Sequence, residues 1–384
     1  MTERRGSNGS MKRLASRLDG TILLILICFM IISTLAIHSA TTGTKYEGLH
    51  VNHFVMYIVL FIPMLAISFL DYRGIVRHCS IILYALGIGL LVLVHFKGMN
   101  LNGSTRWISM GPIQFQPSEL VKIFVILLVA KMLKRRNGEP LRILQDMVPI
   151  MIVTLIPVLL ILKQPDLGTS IVYFGILAGL LWMGNMRWIH VIIGSATMAV
   201  LAASLACLYM FNHEWLSKMI KLHQMARIQA FVDPASDPNH SWHVLNSIRA
   251  VGTGDVFGKG YRQGDMVQNG FIPYDYADSI FVVIGEEFGF LGSALLLLLY
   301  FLLIYRMVRI ASESSDVSGT YIVVGIMSMF VLQIFENIAM HLGLMPLTGI
   351  ALPFISYGGS SLLTNMAAIG LVLSVRIHSF QPYS

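Results

Sequence analysis

The chain has 384 residues, of which 55% are hydrophobic and only 12% are charged. Soluble domains carry about 25% charged residues, so this composition excludes an ordinary soluble protein and indicates one embedded in a membrane. The formal net charge of +7 does not call for nucleic acid, because basic residues in integral membrane proteins commonly set the topology. Cys28, Cys79 and Cys207 form no CxxC pair, which argues against a metal cluster or a disulfide scaffold.

Ten apolar runs predict membrane-spanning helices, since a helix needs about 20 such residues to cross the hydrocarbon core. They lie at about 20–40, 52–70, 79–96, 115–133, 147–163, 168–184, 189–211, 279–305, 320–342 and 351–376. The first run is expected to stay as a helix and not to be cleaved as a signal, because further spans follow it. The sequence predicts an all-α integral membrane protein, with 1–19 as a cytoplasmic tail and 20–384 as a single ten-helix domain.

The distribution of Lys and Arg predicts the orientation of these spans. With the amino terminus inside, most basic residues fall on the cytoplasmic side, as the positive-inside rule requires. The short outer loops then hold only Lys45, Lys97, Arg106 and Lys163. Both termini are therefore predicted to be cytoplasmic.

One outer connection, 212–277 between the seventh and eighth spans, is much longer than the others. Long loops inside compact proteins tend to be either functional or disordered. This one interleaves aromatic residues with charges and ends in a glycine-rich run at 252–260. We expect a partly structured extracellular loop that rests on the membrane surface, with 216–231 as a candidate interfacial helix.

Three acidic residues lie at the edge of the eighth span or inside it. Asp278 stands at the border with the long outer loop, and Glu286 and Glu287 follow about two turns later. An ionised carboxylate at bilayer depth costs roughly 2.5–3.5 kcal/mol on insertion scales, so such residues usually have a partner or a function. The predicted orientation puts Asp278 on the outer side.

Charged residues also surround the start of the fourth span. Arg106 and Trp107 precede it on the outer side, where a guanidinium beside an indole suits a lipid phosphate, although an aromatic-belt anchor has the same pattern. Glu119 and Lys122 are three residues apart on the helix and can neutralise each other. An internal ion pair and a catalytic role both remain open for them. Asp166, between the fifth and sixth spans, either caps a turn or lines the site.

The ninth span and the segment after it are polar in two different ways. Gln333, Asn337 and His341 recur every four residues, so they form one stripe that faces either a hydrated cavity or a neighbouring helix. Residues 343–361 hold too much Gly and Pro for one continuous helix, which predicts a broken segment. Amides where the next helix opens can hold an anionic group. The candidate binding residues there are Ser356, Gly358, Gly359 and Ser360.

Together these segments resemble the shape, elongation, division and sporulation (SEDS) family, nearer to its RodA branch than to its FtsW branch. The matching motifs are RWISMGPIQFQPSELVK (106–122), QPDLGTS (164–170), FGKGYRQG (257–264), IPYDYADSIFVVIGEEFGFLG (272–292) and NIAMHLGLMPLTGIALPFISYGGSS (337–361). The resemblance makes Asp278 the essential acid and Trp107 the tryptophan of the RW motif. The chain departs from the family at Ser279, where Phe is usual, and at Tyr276 and the following Ala, where His and Thr are frequent.

The resemblance implies a peptidoglycan glycosyltransferase, a hexosyltransferase that uses an undecaprenyl-diphosphate-linked donor. It would polymerise lipid II at the outer face of the cytoplasmic membrane, among membrane lipids, beside a class B penicillin-binding protein that cross-links the new strand. It also assigns Glu286 and Glu287 a structural role.

The chemistry of glycosyl transfer explains why an acid belongs at this border. A carboxylate can accept the proton of the attacking 4-hydroxyl, while cations stabilise the departing diphosphate. We therefore expect Asp278 as general base, assisted by Arg106, Lys122 or Arg249. A divalent cation, Mg²⁺ or Mn²⁺, is a candidate for countercharge, although no ligand cluster is visible. A transporter of a lipid-linked precursor and a non-catalytic scaffold for cell-wall enzymes are the alternative functions.

Overall fold

The computed structural model describes residues 17–101, 104–110, 113–211 and 238–379, together with positions 229 and 232. Residues 1–16 of the predicted tail lie outside the described residues. So does the candidate interfacial helix at 216–231, except for position 229.

The described chain is organised as a series of helices interrupted by one small sheet. The helices are α1 Gly20–Thr41, α2 Leu49–Phe69, α3 Tyr72–Lys97, α4 Pro117–Lys134, α5 Ile143–Lys163, α6 Leu167–Met183, α7 Trp188–Phe211, α8 Pro238–Thr253, α9 Asp265–Gln268, α10 Ile280–Ser312, α11 Val317–His341 and α12 Gly359–His378. The strands are β1 Met99–Leu101, β2 Ser104–Met110 and β3 Ile113–Phe115.

Each of the ten predicted apolar runs overlaps one of these helices. Within the described residues, seven are long and apolar enough to cross a membrane: α1, α2, α3, α5, α10, α11 and α12. Helix α6 and the Trp188–Val200 part of α7 are apolar but shorter, and α4 carries four charged side chains along its 18 residues. The protein is therefore a helical multi-pass membrane protein, as predicted, while the count of ten spans stays a prediction.

A small antiparallel sheet between α3 and α4 was not predicted from the sequence, and neither were helices α8 and α9. Its strand order is β1-β2-β3, with Met99 opposite Trp107 and Ile108 opposite Phe115. Gly98, in an extended conformation, ends α3 and lets the chain enter β1. The sheet matters for the site because Arg106 and Trp107 lie on its middle strand.

Helices α11 and α12 lie at the centre of the molecule. In their most apolar windows 61% and 78% of residues are buried, against 22% in α2. The outer helices instead expose large apolar side chains such as Leu24, Val51 and Ile82, which suits contact with lipid. Helix α12 packs against α2, and α11 packs against α4 and α6. Polar side chains on α4, α11 and α12 are therefore enclosed by protein.

Helix α10 is broken at Gly289, and the glycine-rich loop after α8 supplies the missing hydrogen bonds. Gly289 has φ 63° and ψ −157°, which interrupts the helical ladder. The amides of Phe290 and Leu291 donate to the carbonyls of Asp255 and Val256 at 2.9 and 3.1 Å. A break inside a membrane helix is tolerated when its freed backbone groups find such partners.

Close backbone contact explains why glycine stands on both sides of this junction. A Cβ at Gly289 would lie 2.3 Å from the amide nitrogen of Gly258, and a Cβ at Gly258 would lie 2.1 Å from the carbonyl oxygen of Glu287. Both residues also have positive φ, which side chains rarely adopt. The loop can approach α10 only because both positions lack a side chain.

Glu286 and Glu287 hold the loop after α8, helix α9 and the end of α1 against α10. The Glu286 carboxylate accepts hydrogen bonds from Lys259 Nζ at 3.1 Å and from two backbone amides at α9 at 2.9 and 3.0 Å. Glu287 Oε1 accepts from Ser39 Oγ at 2.6 Å and from Gln268 Nε2 at 3.1 Å. These contacts support the structural role expected for both acids.

Candidate active site

Asp278 lies in the turn that precedes α10, and α11 holds its backbone. Its carbonyl oxygen accepts a hydrogen bond from Asn337 Nδ2 at 2.7 Å, and His341 Nε2 lies 2.9 Å from the same oxygen. Asn337 and His341 are one turn apart on α11, so the polar stripe predicted for this helix faces the acid. The side chains of the stripe fix the position of Asp278 through its main chain.

The segment between α11 and α12 passes beside the same acid. Residues 342–358, all of which are described, form no helix or strand, as the density of Gly and Pro predicted. Asn337 Nδ2 also donates to the carbonyl of Ile350 at 2.7 Å. A Cβ built on Gly349 would lie 3.4 Å from Asp278 Oδ2. The broken segment therefore forms one wall beside the Asp278 carboxylate.

Ser279, which stands where the family usually has Phe, has a polar partner that sequence reasoning missed. Its hydroxyl donates to the carbonyl of Pro273 at 3.0 Å and lies 2.9 Å from His243 Nε2 on α8. Ser279 is fully buried, so this pairing satisfies a polar group that would otherwise be costly. The pair links the surface helix α8 to the residue next to Asp278.

Asp275 is a second acid in the same turn that the sequence did not single out. Burial raises the pKa of its carboxyl to about 7, although the Tyr276 amide donates to its Oδ1 at 2.9 Å and opposes the shift. The signal in the sequence was its spacing of three residues from Asp278. A carboxyl with this pKa changes charge near neutral pH.

A second polar cluster joins the sheet to α4 and α6. Arg106 Nη1 lies 3.2 Å from Asp166 Oδ2, which also accepts from Gln116 Nε2 at 3.2 Å. Asp166 Oδ1 accepts from the Thr169 amide at 3.1 Å and so caps α6. The capping role considered for Asp166 is present in the structure, while its role in lining the substrate site stays a prediction.

Buried charges extend this cluster inward along α4 and α11. Lys122 Nζ lies 3.0 and 2.9 Å from the two carboxylate oxygens of Glu119, and Lys122 is fully buried. The internal ion pair considered from the sequence is thus present. Glu336 is also fully buried and lies beside Thr348. A Cβ on Gly168 would come within 3.0 Å of Glu336 Oε1, which puts Glu336 beside the start of α6.

The broken segment connects the two clusters. A Cβ on Gly168 would lie 2.9 Å from Thr348 Cβ, and the next residue, Gly349, adjoins Asp278. One short stretch of chain therefore separates the Asp278 turn from the Arg106 and Asp166 cluster. These groups lie at the same end of the central helices.

The candidate residues before α12 use their hydroxyls inside the protein. Ser360 Oγ accepts from the Gln116 amide at 2.9 Å and donates to the Gln114 carbonyl at 3.2 Å, which ties α12 to the end of the sheet. Ser356 Oγ accepts from the Leu352 amide at 2.8 Å. Gly358 and Gly359 open α12 without a side-chain cap. These four positions can therefore contact a ligand only through backbone groups at the start of α12.

Two other candidate substrate-binding residues, Trp107 and Arg249, form no hydrogen bond or ion pair with Asp278 in the part of the chain that the structure describes. Trp107 is half-buried on β2, beside Arg106. Arg249 is exposed on α8 and makes no hydrogen bond or ion pair with the described residues. Within the same residues, no group of three or more His, Cys, Asp or Glu side chains could hold a metal ion.

Comparison with known proteins decides the family. Residues 17–381 match the FtsW, RodA and SpoVE family model, which is described as a cell cycle protein. The chain belongs to the SEDS family. The match spans every motif on which the resemblance was based, so the predicted family is confirmed.

Relatives of this SEDS protein include peptidoglycan glycosyltransferase MrdB of Escherichia coli strain K12. The two are 36% identical over 366 residues, which cover 94% of each chain. Stage V sporulation protein E of Bacillus subtilis strain 168 is 35% identical over 294 residues, covering 75% of this chain and 76% of that protein.

Solved structures extend the similarity to the fold of the SEDS protein. A chain from a peptidoglycan synthase complex, described as coordinating polymerization and crosslinking, matches with a TM-score of 0.79 and 29% identity over 95% of this chain and 99% of that one. Rod shape determining protein RodA of Thermus thermophilus matches with a TM-score of 0.69 and 26% identity over 95% of this chain and 98% of that one.

Proposed function

We propose that this SEDS protein is a peptidoglycan glycosyltransferase that polymerises lipid II at the outer face of the cytoplasmic membrane, with both termini inside. Relatives that match over 94% of the chain, MrdB and RodA of Treponema pallidum, bear that enzymatic name. One observation carries the proposal. Asp278, the acid at the family's motif position, is held through its backbone in the turn before α10, beside a non-helical wall.

Asp278 acts as the general base in this proposal. Its carboxylate accepts the proton of the acceptor 4-hydroxyl while that oxygen bonds to the anomeric carbon of the donor sugar. The bond between the anomeric carbon and the diphosphate breaks, and the undecaprenyl diphosphate leaves with the electron pair. Because the sugars are in water and the polyprenyl tails are in lipid, the base has to stand at the interface.

Arg106 is the strongest candidate for binding the diphosphate. Its side chain is 20% exposed, and its partner Asp166 is also held by Gln116 and Thr169, so Arg106 can turn towards a ligand without leaving Asp166 unbonded. Trp107 lies next to it at the predicted interface. Lys122 is enclosed with Glu119 and acts on the site through its charge, and backbone amides from Gly358 to Ser360 can contribute further hydrogen bonds.

A divalent cation fits this site only with ligands from the substrate. Mg²⁺ typically keeps several waters and binds through one or two carboxylates plus phosphate oxygens. The described residues offer no dedicated cluster, but Asp278 and a diphosphate together would suffice. A chelator should then reduce polymerisation, and added Mg²⁺ or Mn²⁺ should restore it.

The test is polymerisation of lipid II by the purified protein in detergent. Asp278→Asn removes the proton acceptor and keeps the side-chain size, so we expect glycan synthesis to fall about 100-fold or more while the unfolding midpoint stays unchanged. Glu139→Gln, at an exposed acid between α4 and α5, is the control and should retain synthesis. Full activity in Asp278→Asn would end the proposal.

We also propose a class B penicillin-binding protein as the partner. The structural neighbour from the peptidoglycan synthase complex supports this, because that complex is described as coordinating polymerization with crosslinking. The same assay with and without the transpeptidase tests it. Movement of lipid II across vesicle membranes without polymer formation would instead favour a transporter. If the protein showed neither activity, the scaffold function would be favoured.

A further inference from the structure

Four rings form a continuous aromatic band beside the Asp278 turn. Tyr46 and Tyr276 have ring centroids 4.8 Å apart, and Tyr276 and Tyr357 are 6.1 Å apart. His53 lies 5.7 Å from Tyr357. The rings come from the connection after α1, the turn before α10, the segment before α12, and α2. The band is therefore assembled by the fold and not by neighbours in sequence.

The inner end of the band is at the centre of the molecule. Tyr357 immediately precedes α12, the most buried membrane helix, and fully buried His53 packs against it. Tyr276 and Tyr357 are half-buried, and the outer end, Tyr46, is 36% exposed. An aromatic-belt anchor would instead lie on the lipid-facing perimeter. This band leads from the outer surface towards the site.

Tyr276 and Tyr357 are held rigidly in a corner. The Tyr357 amide donates to the Tyr276 carbonyl at 3.0 Å, which fixes the two chain segments against each other. Their ring planes meet at 70°, so the two rings form adjacent walls. Tyr276 is separated from Asp278 by a single residue. A molecule seated in the corner would therefore lie next to the proposed base.

The chemistry of the corner selects a sugar. The C–H face of a pyranose ring is apolar and slightly positive, so it packs well on the negative face of an aromatic ring. The phenol groups can hydrogen-bond to sugar hydroxyls. Asp275 and Asp278, on the same turn, disfavour an anionic group such as a phosphate. At the Tyr46 end of the band, Lys45 Nζ lies 5.0 Å from the centroid of the Tyr46 ring and covers the face of that ring. The corner between Tyr276 and Tyr357 therefore remains for the ligand.

We propose that the corner formed by Tyr276 and Tyr357 is a sugar subsite that seats the acceptor glycan beside Asp278, an inference that rests on the proposed function for the identity of the glycan. The family frequently has His at position 276. The corner is thus a feature of this chain, and Tyr276 determines how tightly the acceptor is held.

Glycan binding can be measured without catalysis. In the Asp278→Asn background, saturation-transfer NMR in detergent would follow a soluble tetrasaccharide of N-acetylglucosamine, which carries no charge. Tyr276→Leu keeps an apolar side chain but removes the π face, and we expect it to weaken binding about tenfold. Tyr276→Phe keeps the face and should stay within about threefold of the parent. Tyr305→Ala, at an exposed tyrosine near the other end of α10, is the control and should bind normally.

Polymerisation by chains that retain Asp278 separates this inference from the proposed function. We expect Tyr276→Leu to raise KM for lipid II about tenfold with a smaller change in kcat. If Tyr276→Leu and Tyr357→Leu both bind the tetrasaccharide like the parent, the subsite is refuted even if polymerisation occurs. If glycan binding depends on both tyrosines but the protein makes no polymer, the subsite stands and the proposed function fails.

Discussion

Two acids three residues apart share the turn before α10, and their surroundings differ. Asp278 is held through its carbonyl by Asn337 and His341. Asp275 is buried enough that the pKa of its carboxyl rises to about 7. Near neutral pH, the charge beside the proposed base therefore depends on the protonation of Asp275. At the scale of single residues, this is the feature of the site most sensitive to conditions.

The raised pKa of Asp275 predicts a pH-dependent loss of stability. The pKa rises from an ordinary 3.8 to about 7, so the fold favours the neutral carboxyl. Its contribution is fully present below pH 3.8 and is lost as the pH rises through about 7. Asp275→Asn stays neutral throughout. Between these limits we expect wild type to lose on the order of 1–3 kcal/mol of unfolding free energy relative to the variant.

Thermal unfolding in detergent across that pH range measures this difference. Glu47→Gln, at an exposed acid in the connection between α1 and α2, is the control and should leave the wild-type curve unchanged. Parallel curves for wild type and Asp275→Asn would contradict the prediction.

At the scale of elements, the break in α10 and the loop after α8 depend on each other. The loop supplies carbonyls to the amides after Gly289, while the amides of Lys259 and Gly260 donate to the carbonyls of Glu286 and Glu287, both at 3.0 Å. The start of α10, which follows the Asp278 turn, is therefore positioned by the loop after α8 as well as by α11. A substitution where the loop after α8 meets the break in α10 should therefore alter the position of the Asp278 turn.

Gly289→Ala is expected to release this loop. The added Cβ would meet the loop backbone at 2.3 Å, and an alanine is strained at φ 63°. We expect a loss of about 2–4 kcal/mol of stability and faster hydrogen exchange of amides 254–268. Gly252→Ala, on α8 with open space around it, is the matched control. If amides 254–268 of Gly289→Ala exchanged as slowly as those of the wild type, the break in α10 and the loop after α8 would not depend on each other.

Helices and the broken segment could be predicted from sequence because their signals are local. Apolar runs mark the spans, and the Gly and Pro residues of 343–361 mark the interruption before α12. The break at Gly289 could not be predicted, since a lone glycine in an apolar helix is tolerated and its partners come from a distant loop. The small sheet was missed although two short β-rich runs flank Gly111 and Pro112 in the sequence.

In the site too, only contacts between residues that are close in the sequence could be predicted. The pair of Glu119 and Lys122 followed from their separation of three residues on one helix. The ion pair of Arg106 with Asp166 joins distant parts of the chain, and neither residue identifies the other. The bond of His243 to Ser279 and the tyrosine corner depend on tertiary packing in the same way. Asp278 itself was found through its position at a border and the family motif.

At the scale of the whole molecule, charges gather at the two ends of the helices. At the end opposite Asp278, Asp316 pairs with Lys134 at 2.6 Å and with Arg73 at 3.6 Å, and Arg306 pairs with Asp19. Ion pairs between different helices at this end fix the positions of the helices relative to one another along their axes. The excess of basic residues there agrees with the predicted cytoplasmic side.

Accessibility of single cysteines tests the predicted orientation. In a chain whose native cysteines are replaced, Glu47→Cys should react with a membrane-impermeant maleimide in intact cells, because position 47 is exposed in a connection that is predicted to lie outside. Glu139→Cys, equally exposed between α4 and α5, should react only after permeabilisation. The opposite pattern would reverse the orientation and place Asp278 inside.

The hydrogen bonds from Asn337 and His341 reach the carbonyl of Asp278, a group that every amino acid carries. These two hydrogen bonds therefore do not depend on which side chain stands at position 278. Under the proposed function, a chain with Asn there would still reach the membrane and occupy the place of an active copy. In a cell that carries both forms, such a chain should be dominant, and wall synthesis should fall with its share of the total.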